Sequence, residues 1–173
     1  MITLQHFTET DFQRLISWID SEKFLTQFAG QAFSYPLTEP QLAKYLHTAN
    51  RKAFAIKLQD TNTIIGHCEL AGIDLKHKSA TFCRLLIGEK TLRGKGFGHD
   101  AVVEAIRYGF DEIGLHRIDI NVFDFNKGAI ALYKKIGFQE EGVLRDYCKV
   151  GDDYWSAIRM SILENEYKNL YQV

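Results

Sequence analysis

Leu92-Arg93-Gly94-Lys95-Gly96-Phe97-Gly98-His99 is the stretch from which the rest of the chain can be read. An apolar run that includes Leu85, Leu86 and Ile87 leads into it. A helical pattern leaves it, with Ala101, Val102, Ala105, Ile106, Gly109, Phe110 and Ile113 recurring on one face. The order is therefore strand, glycine-rich turn, helix. Glycines at alternate positions let the backbone turn tightly and bring several N–H groups to one side. A helix that starts there adds its unpaired amides and the positive end of its dipole. Consecutive inward amides form a concave anion site. The turn is expected to hold a phosphate or pyrophosphate.

The type of phosphate site follows from spacing. A P-loop needs Ser or Thr after Gly-Lys, and Gly94-Lys95 is followed by Gly96. A dinucleotide fingerprint needs a third glycine where His99 stands, and no second βαβ half is visible. What remains is Arg93-x-x-Gly96-x-Gly98, which alone also suits a plain strand-to-helix turn. A second stretch, Asn126-Lys127-Gly128-Ala129-Ile130-Ala131-Leu132-Tyr133-Lys134-Lys135-Ile136-Gly137-Phe138, follows an apolar strand at 117–122. Taken together and in this order, the two motifs resemble the GNAT acetyltransferases: an acetyl-CoA pyrophosphate loop, then Asn-x-x-Ala-x-x-x-Tyr-x-x-x-Gly-Phe. The likeness is strongest from about Ile64 to Phe138.

Around these motifs the chain reads as one domain, 1–173. Ile2 and Leu4 suit a first strand. Thr8 opens a helix that buries Phe12, Leu15, Ile16 and Ile19. Residues 24–35 read as an irregular aromatic segment. Thr38-Glu39-Pro40-Gln41 opens a second helix by a capping box, with Leu42, Tyr45, Leu46 and Ala49 inward. Strands follow at about 53–58, 64–70 and 80–87 as an antiparallel meander. A helix over 98–113 crosses to the strand 117–122, which runs parallel to the third strand of the meander. Segments 141–149 and 154–163 form a hairpin about Gly151-Asp152, and 164–173 read as a surface tail. The resemblance implies an α/β (α+β) fold: a mixed, mostly antiparallel sheet flanked by helices and splayed between its two central strands.

Composition narrows the classes of function. The chain has 173 residues, 46% hydrophobic and 25% charged, enough for a core without staples. A formal net charge of −1 argues against a nucleic-acid binder. Cys68, Cys83 and Cys148 are dispersed and odd in number, so they read as buried thiols of a reducing compartment. No clustered Cys or His suggests a metal. Neither a signal peptide nor an apolar span of about 20 residues is present, so no membrane association is expected and a cytoplasmic location is.

The resemblance also implies a chemistry. Acetyl-CoA is the expected co-substrate and a primary amine the acceptor, in a ternary complex. Main-chain donors of Arg93, Gly94, Lys95, Gly96, Phe97, Gly98 and His99 would take the pyrophosphate. The edge Leu85-Leu86-Ile87 would pair with the pantetheine arm as with another strand, and Asn126 would hydrogen-bond that arm. Tyr133 would protonate the leaving thiolate. Glu69 is the first candidate for the base, ahead of His67, His116 and Asp119. Within the superfamily, Ile87-Gly88-Glu89-Lys90, Tyr108-Gly109-Phe110 and Glu141-Gly142-Val143-Leu144-Arg145 resemble the group that includes ribosomal-protein N-terminal and spermidine acetyltransferases. A polyamine acceptor calls for several carboxylates together, and Glu22, Glu39, Asp74 and Glu69 are the acids available for such a site. A cofactor-binding module without turnover, or a transferase of longer acyl groups, is also compatible, as is a monomer or a homodimer.

Overall fold

The computed structural model describes residues 1–172. Its first strand, β1 (Ile2–His6), is followed by a 3-10 turn, Glu9–Asp11, and a short helix α1 (Phe12–Ser17). The Thr8 amide donates to the Asp11 carboxylate (3.0 Å), so the expected start is in place, but the first turn is tighter than an α-helix. The segment read as irregular contains a helix, α2 (Glu22–Ala29). Ser21 caps it by accepting from the Phe24 amide (3.3 Å), and Leu25, Phe28 and Ala29 are buried. That spacing is helical; the density of aromatic residues masked it. Helix α3 (Glu39–Leu46) has Pro40 in its first turn as expected. Gln41 does not close a capping box, because its side chain bonds the Ser34 and Pro36 main chain instead.

Six more strands complete the sheet: β2 (Lys52–Leu58), β3 (Ile64–Asp74), β4 (Ser79–Ile87), β5 (Arg117–Phe123), β6 (Gln139–Val150) and β7 (Asp153–Leu163). Their order is β1-β2-β3-β4-β5-β7-β6. Every neighbouring pair is antiparallel except β4 and β5, which are parallel. The crossover between those two carries α4 (Phe97–Arg107), continued by a wider π-type turn, Tyr108–Ile113, that stops at Gly114 with φ +76°. Helix α5 (Lys127–Ile136) joins β5 to β6 and ends at Gly137 (φ +115°). Gly151 (φ +62°) turns the terminal hairpin at the expected place.

Alternate residues of a strand face opposite ways, so the sheet has two apolar faces to cover. Phe54, Leu70, Phe82 and Ile118 pack with Ala105 and Ile106 of α4 and Ile136 of α5. Ala53 and Leu86 pack with α1, α2 and α3 through Leu15, Leu25 and Leu42. The expected surface tail is instead a helix, α6 (Glu164–Tyr171). Tyr167 is buried, stacks on Phe110 at 4.8 Å and donates to Asp111 (2.8 Å). Acids in its first turn were the local signal for this helix. Val173, the last residue of that expected tail, lies outside the described residues.

Candidate active site

The two central strands part company. β4 and β5 are paired only at Ser79–Arg117, Ala80–Ile118 and Thr81–Asp119. Beyond that rung a cleft of about 440 Å³ opens between Cys83, Arg84 and Leu85 on one side and Ile120, Asn121 and Val122 on the other. A bulge in β4 starts the divergence. His67 faces Leu86 and Glu69 faces Cys83, so Arg84 and Leu85 together stand opposite Cys68. Arg84 takes the left-handed conformation that this needs (φ +54°). A bulge leaves its extra residue out of the ladder, which frees main-chain groups beside the cleft.

The glycine-rich turn lies where β4 hands over to α4. Gly94 and Gly96 have φ +75° and +91°, values that disfavour any side chain. Gly96 is the helix N-cap. Among the described residues no amide from Gly94 to His99 has a main-chain partner; the first one used is Asp100, to the Gly96 carbonyl (3.1 Å). Unpaired amides at a helix N-terminus, with the dipole behind them, suit an anion. Gly98 plays a different part: it lies within the first turn, where a Cβ would stand 3.9 Å from Leu85 and 4.0 Å from Leu132. Arg93 turns back on the strand it follows. Its Nε donates to the Ile87 carbonyl (2.8 Å) and an Nη to that of Gly88 (3.1 Å). Lys95 is exposed, and His99 lies beside Asp100 (3.3 Å).

On the far wall, Asn126 caps α5 by accepting from the Ala129 amide (3.2 Å), which leaves its NH2 group free to donate. Seven residues on, Tyr133 is buried against Phe82 and Phe138 and lines the cleft. Burial, with Cys83 and Cys68 nearby, raises its phenol well above the ordinary range, so the hydroxyl stays protonated. Among the described residues that hydroxyl makes no hydrogen bond.

Glu69 has no exposed surface. Its carboxylate receives Nη1 of Arg84, an Nη of Arg51 (3.2 Å) and the Tyr45 hydroxyl, and Cys83 Sγ lies 3.1 Å away. Tyr45 also meets His67 Nε2 at 3.0 Å. Burial, then the charges of Arg84 and Arg51, push the His67 imidazole down to about 3, so it is neutral. Asp119 is held by the Thr81 hydroxyl (2.8 Å) and Arg159 (3.0 Å), and His116 is exposed beside Glu164. The acids weighed for a polyamine do not meet. Glu22 begins α2, Glu39 bonds Gln13 on the surface, and Asp74 caps the turn after β3. Arg84 was missed in the sequence. Its signal was a charge inside the apolar run Phe82–Ile87. Cys68 and Cys148 are buried as expected, and Cys83 is half-buried at the cleft; all three thiols are free.

A parted parallel pair, a cradle of free amides at its mouth and a protonated phenol in its wall define an acyl-transfer fold that takes a phosphate-bearing acyl donor. Residues 1–139 match the family model described as acetyltransferase (GNAT) domain, and the chain belongs to that family. It is an acetyl-CoA-dependent N-acetyltransferase. The chain is similar to spermidine N(1)-acetyltransferase of Vibrio cholerae, with 32% identity over 136 residues, 79% of this chain and 77% of that one. It is 37% identical over 122 residues to the uncharacterized N-acetyltransferase p20 of Bacillus licheniformis, covering 69% of this chain and 65% of the other. The crystal structure of Vibrio cholerae spermidine N-acetyltransferase in complex with CoA and spermine superimposes with a TM-score of 0.83 at 27% identity, covering 96% and 97% of the two chains. Among the described residues no helix is long and apolar enough to cross a membrane.

Proposed function

We propose that residues 1–173 act as one cytoplasmic acetyltransferase domain that acetylates a small primary amine by direct attack, with the reacting groups assembled in the cleft between β4 and β5. The parting of those strands past Thr81 and Asp119 carries the reading, because it opens main-chain groups on one wall opposite Tyr133 on the other. The amides of 94–99 take the pyrophosphate. The pantetheine arm lies along Leu85–Ile87 and accepts from Asn126 Nδ2. Arg93 fixes the cradle by tying the end of β4 to the loop rather than by meeting the phosphate.

The chemistry needs few side chains. The amine nitrogen attacks the thioester carbonyl carbon, and a main-chain N–H freed by the bulge at Arg84 and Leu85 stabilises the developing oxyanion. The C–S bond breaks, and the thiolate takes the Tyr133 proton, which the phenolate regains from solvent. Glu69 was the first candidate for the base. Full burial between two arginines gives it no path to an incoming ammonium, so we assign it to holding Arg84 and Tyr45 and assign the ammonium proton to water. The polyamines named for the Vibrio cholerae relatives are one acceptor class to test.

The test is thiol release from acetyl-CoA by the purified chain with polyamines, amino acids, short peptides and amino sugars. Release with at least one amine is expected. Tight acetyl-CoA binding with no release from any of them would leave a binding module instead.

A further inference from the structure

The cleft that holds the acceptor in this reading has a lopsided charge. Among the described residues that line it, Arg84 is the only one with a formal charge; the rest of the polar lining is Gln27, Thr81, Cys83, Asn121, Asn126, Tyr133 and Tyr147. Two carboxylates that touch lining residues are already taken. Glu69 is shared by Arg84 and Arg51, and Asp119 by Arg159 (3.0 Å) and Arg117 (3.7 Å). Arg117 is itself held by Glu141 (2.7 Å), so the unbalanced cation lies at Glu69, where two arginines meet one carboxylate.

Arg84 is also under-used. Its Nη1 serves Glu69 and Cys83, while Nε is buried without a partner and Nη2 makes no hydrogen bond among the described residues. Its guanidinium carbon sits 5.8 Å from the Phe33 ring and 5.6 Å from the Tyr45 ring, on the wall built by α3 and the segment before it. Nearby, Asn121 donates to the Tyr147 hydroxyl (3.3 Å), and Asn121 Oδ1 is buried without a donor. Buried polar groups are rarely left unpaired without a reason. A guanidinium with a free edge, facing a cleft with no carboxylate, is suited to a planar anion.

Resting on the transfer reading above, we infer that the acceptor is a small amine that itself carries a carboxylate, such as an amino acid or short peptide, and that Arg84 receives the carboxylate. A polyamine brings several positive charges into a wall that offers a cation and nothing to pair with them; like charges at this range repel. The second arginine on Glu69 is thereby balanced when the acceptor binds.

Matched pairs test this with the wild-type chain: an amino acid against its amide, and a dipeptide against its amide, with spermidine alongside. The carboxylate form is expected to have a kcat/KM about tenfold or more above its amide, the scale of one charge-assisted hydrogen bond, and spermidine to be the poorest acceptor. In Arg84→Gln the ratio within each pair should collapse toward one, mainly through KM. Equal kcat/KM within the pairs, or spermidine as the best acceptor, overturns the assignment while leaving the transfer reading intact. Thiol release from no amine, with acetyl-CoA still bound, removes the transfer reading and this assignment with it.

Discussion

Thr81 and Asp119 are the last residues at which β4 and β5 stay partners, and the Thr81 hydroxyl donates to the Asp119 carboxylate across that final rung (2.8 Å). Arg159 of β7 holds the other carboxylate oxygen (3.0 Å). The fork of the sheet is therefore pinned by side chains from three strands. What opens above it is set by the bulge at Arg84, and what closes it below is this buried contact.

Removing the Tyr133 hydroxyl tests the acid directly. Tyr133→Phe keeps the ring that packs on Phe82 and Phe138. Acetyl-CoA affinity should be retained and kcat should fall about 100-fold, the lower range for a positioned proton donor. Calorimetry and thiol-release kinetics check the two halves. Unchanged kcat would take Tyr133 out of the proton path.

Glu69→Gln separates a structural acid from a base. It leaves Arg84 and Arg51 without their shared carboxylate, and breaking such a buried pair costs about 3–5 kcal/mol. Chemical denaturation should report that loss. A variant as stable as the wild type, but without turnover, would restore Glu69 as the base.

The anion cradle is tested at Gly96. A bulky side chain there enters open space, since a Cβ meets nothing within 4 Å, and it must accept φ +91°. Gly96→Trp should fold with a modest loss of stability, about 1–2 kcal/mol for a left-handed residue, and lose acetyl-CoA binding. Retained affinity would place the pyrophosphate elsewhere.

Acid stability should carry the signature of His67. In the folded chain its imidazole is pushed down to about 3 from an ordinary 6.5, first by burial. Between those values the unfolded chain binds a proton that the folded chain does not. Stability therefore falls as the pH drops through that window, at a slope of up to about 1.4 kcal/mol per pH unit. Denaturation curves from pH 7 to pH 4 should show the slope, and His67→Gln should flatten it. An unchanged slope in the variant would assign the acid sensitivity to other groups.

Much of this was legible along the chain because it is local. Residues 92–99 carry their turn in their glycines, and 126–138 carry a cap, an amphipathic face and a stop within thirteen residues. The meander, the crossover and the terminal hairpin follow from apolar periodicity and turn residues in the same way. Helices α2 and α6 escaped because each is short and takes its stability from long-range packing, Phe28 beneath the sheet and Tyr167 on Phe110.

The sequence by itself determined the glycine-rich turn, the family and the helix that carries Tyr133, since backbone conformation and helix phase depend on neighbours only a few residues away. Only the tertiary structure decided what surrounds Glu69 and Arg84. Tyr45 from α3, Arg84 from β4 and Arg51 just ahead of β2 converge on Glu69, with His67 on the far side of Tyr45, and no spacing in the chain encodes that meeting. Burial and charge depend on every strand and helix packed around a group, and so the role of a carboxylate cannot be read from its position along a strand.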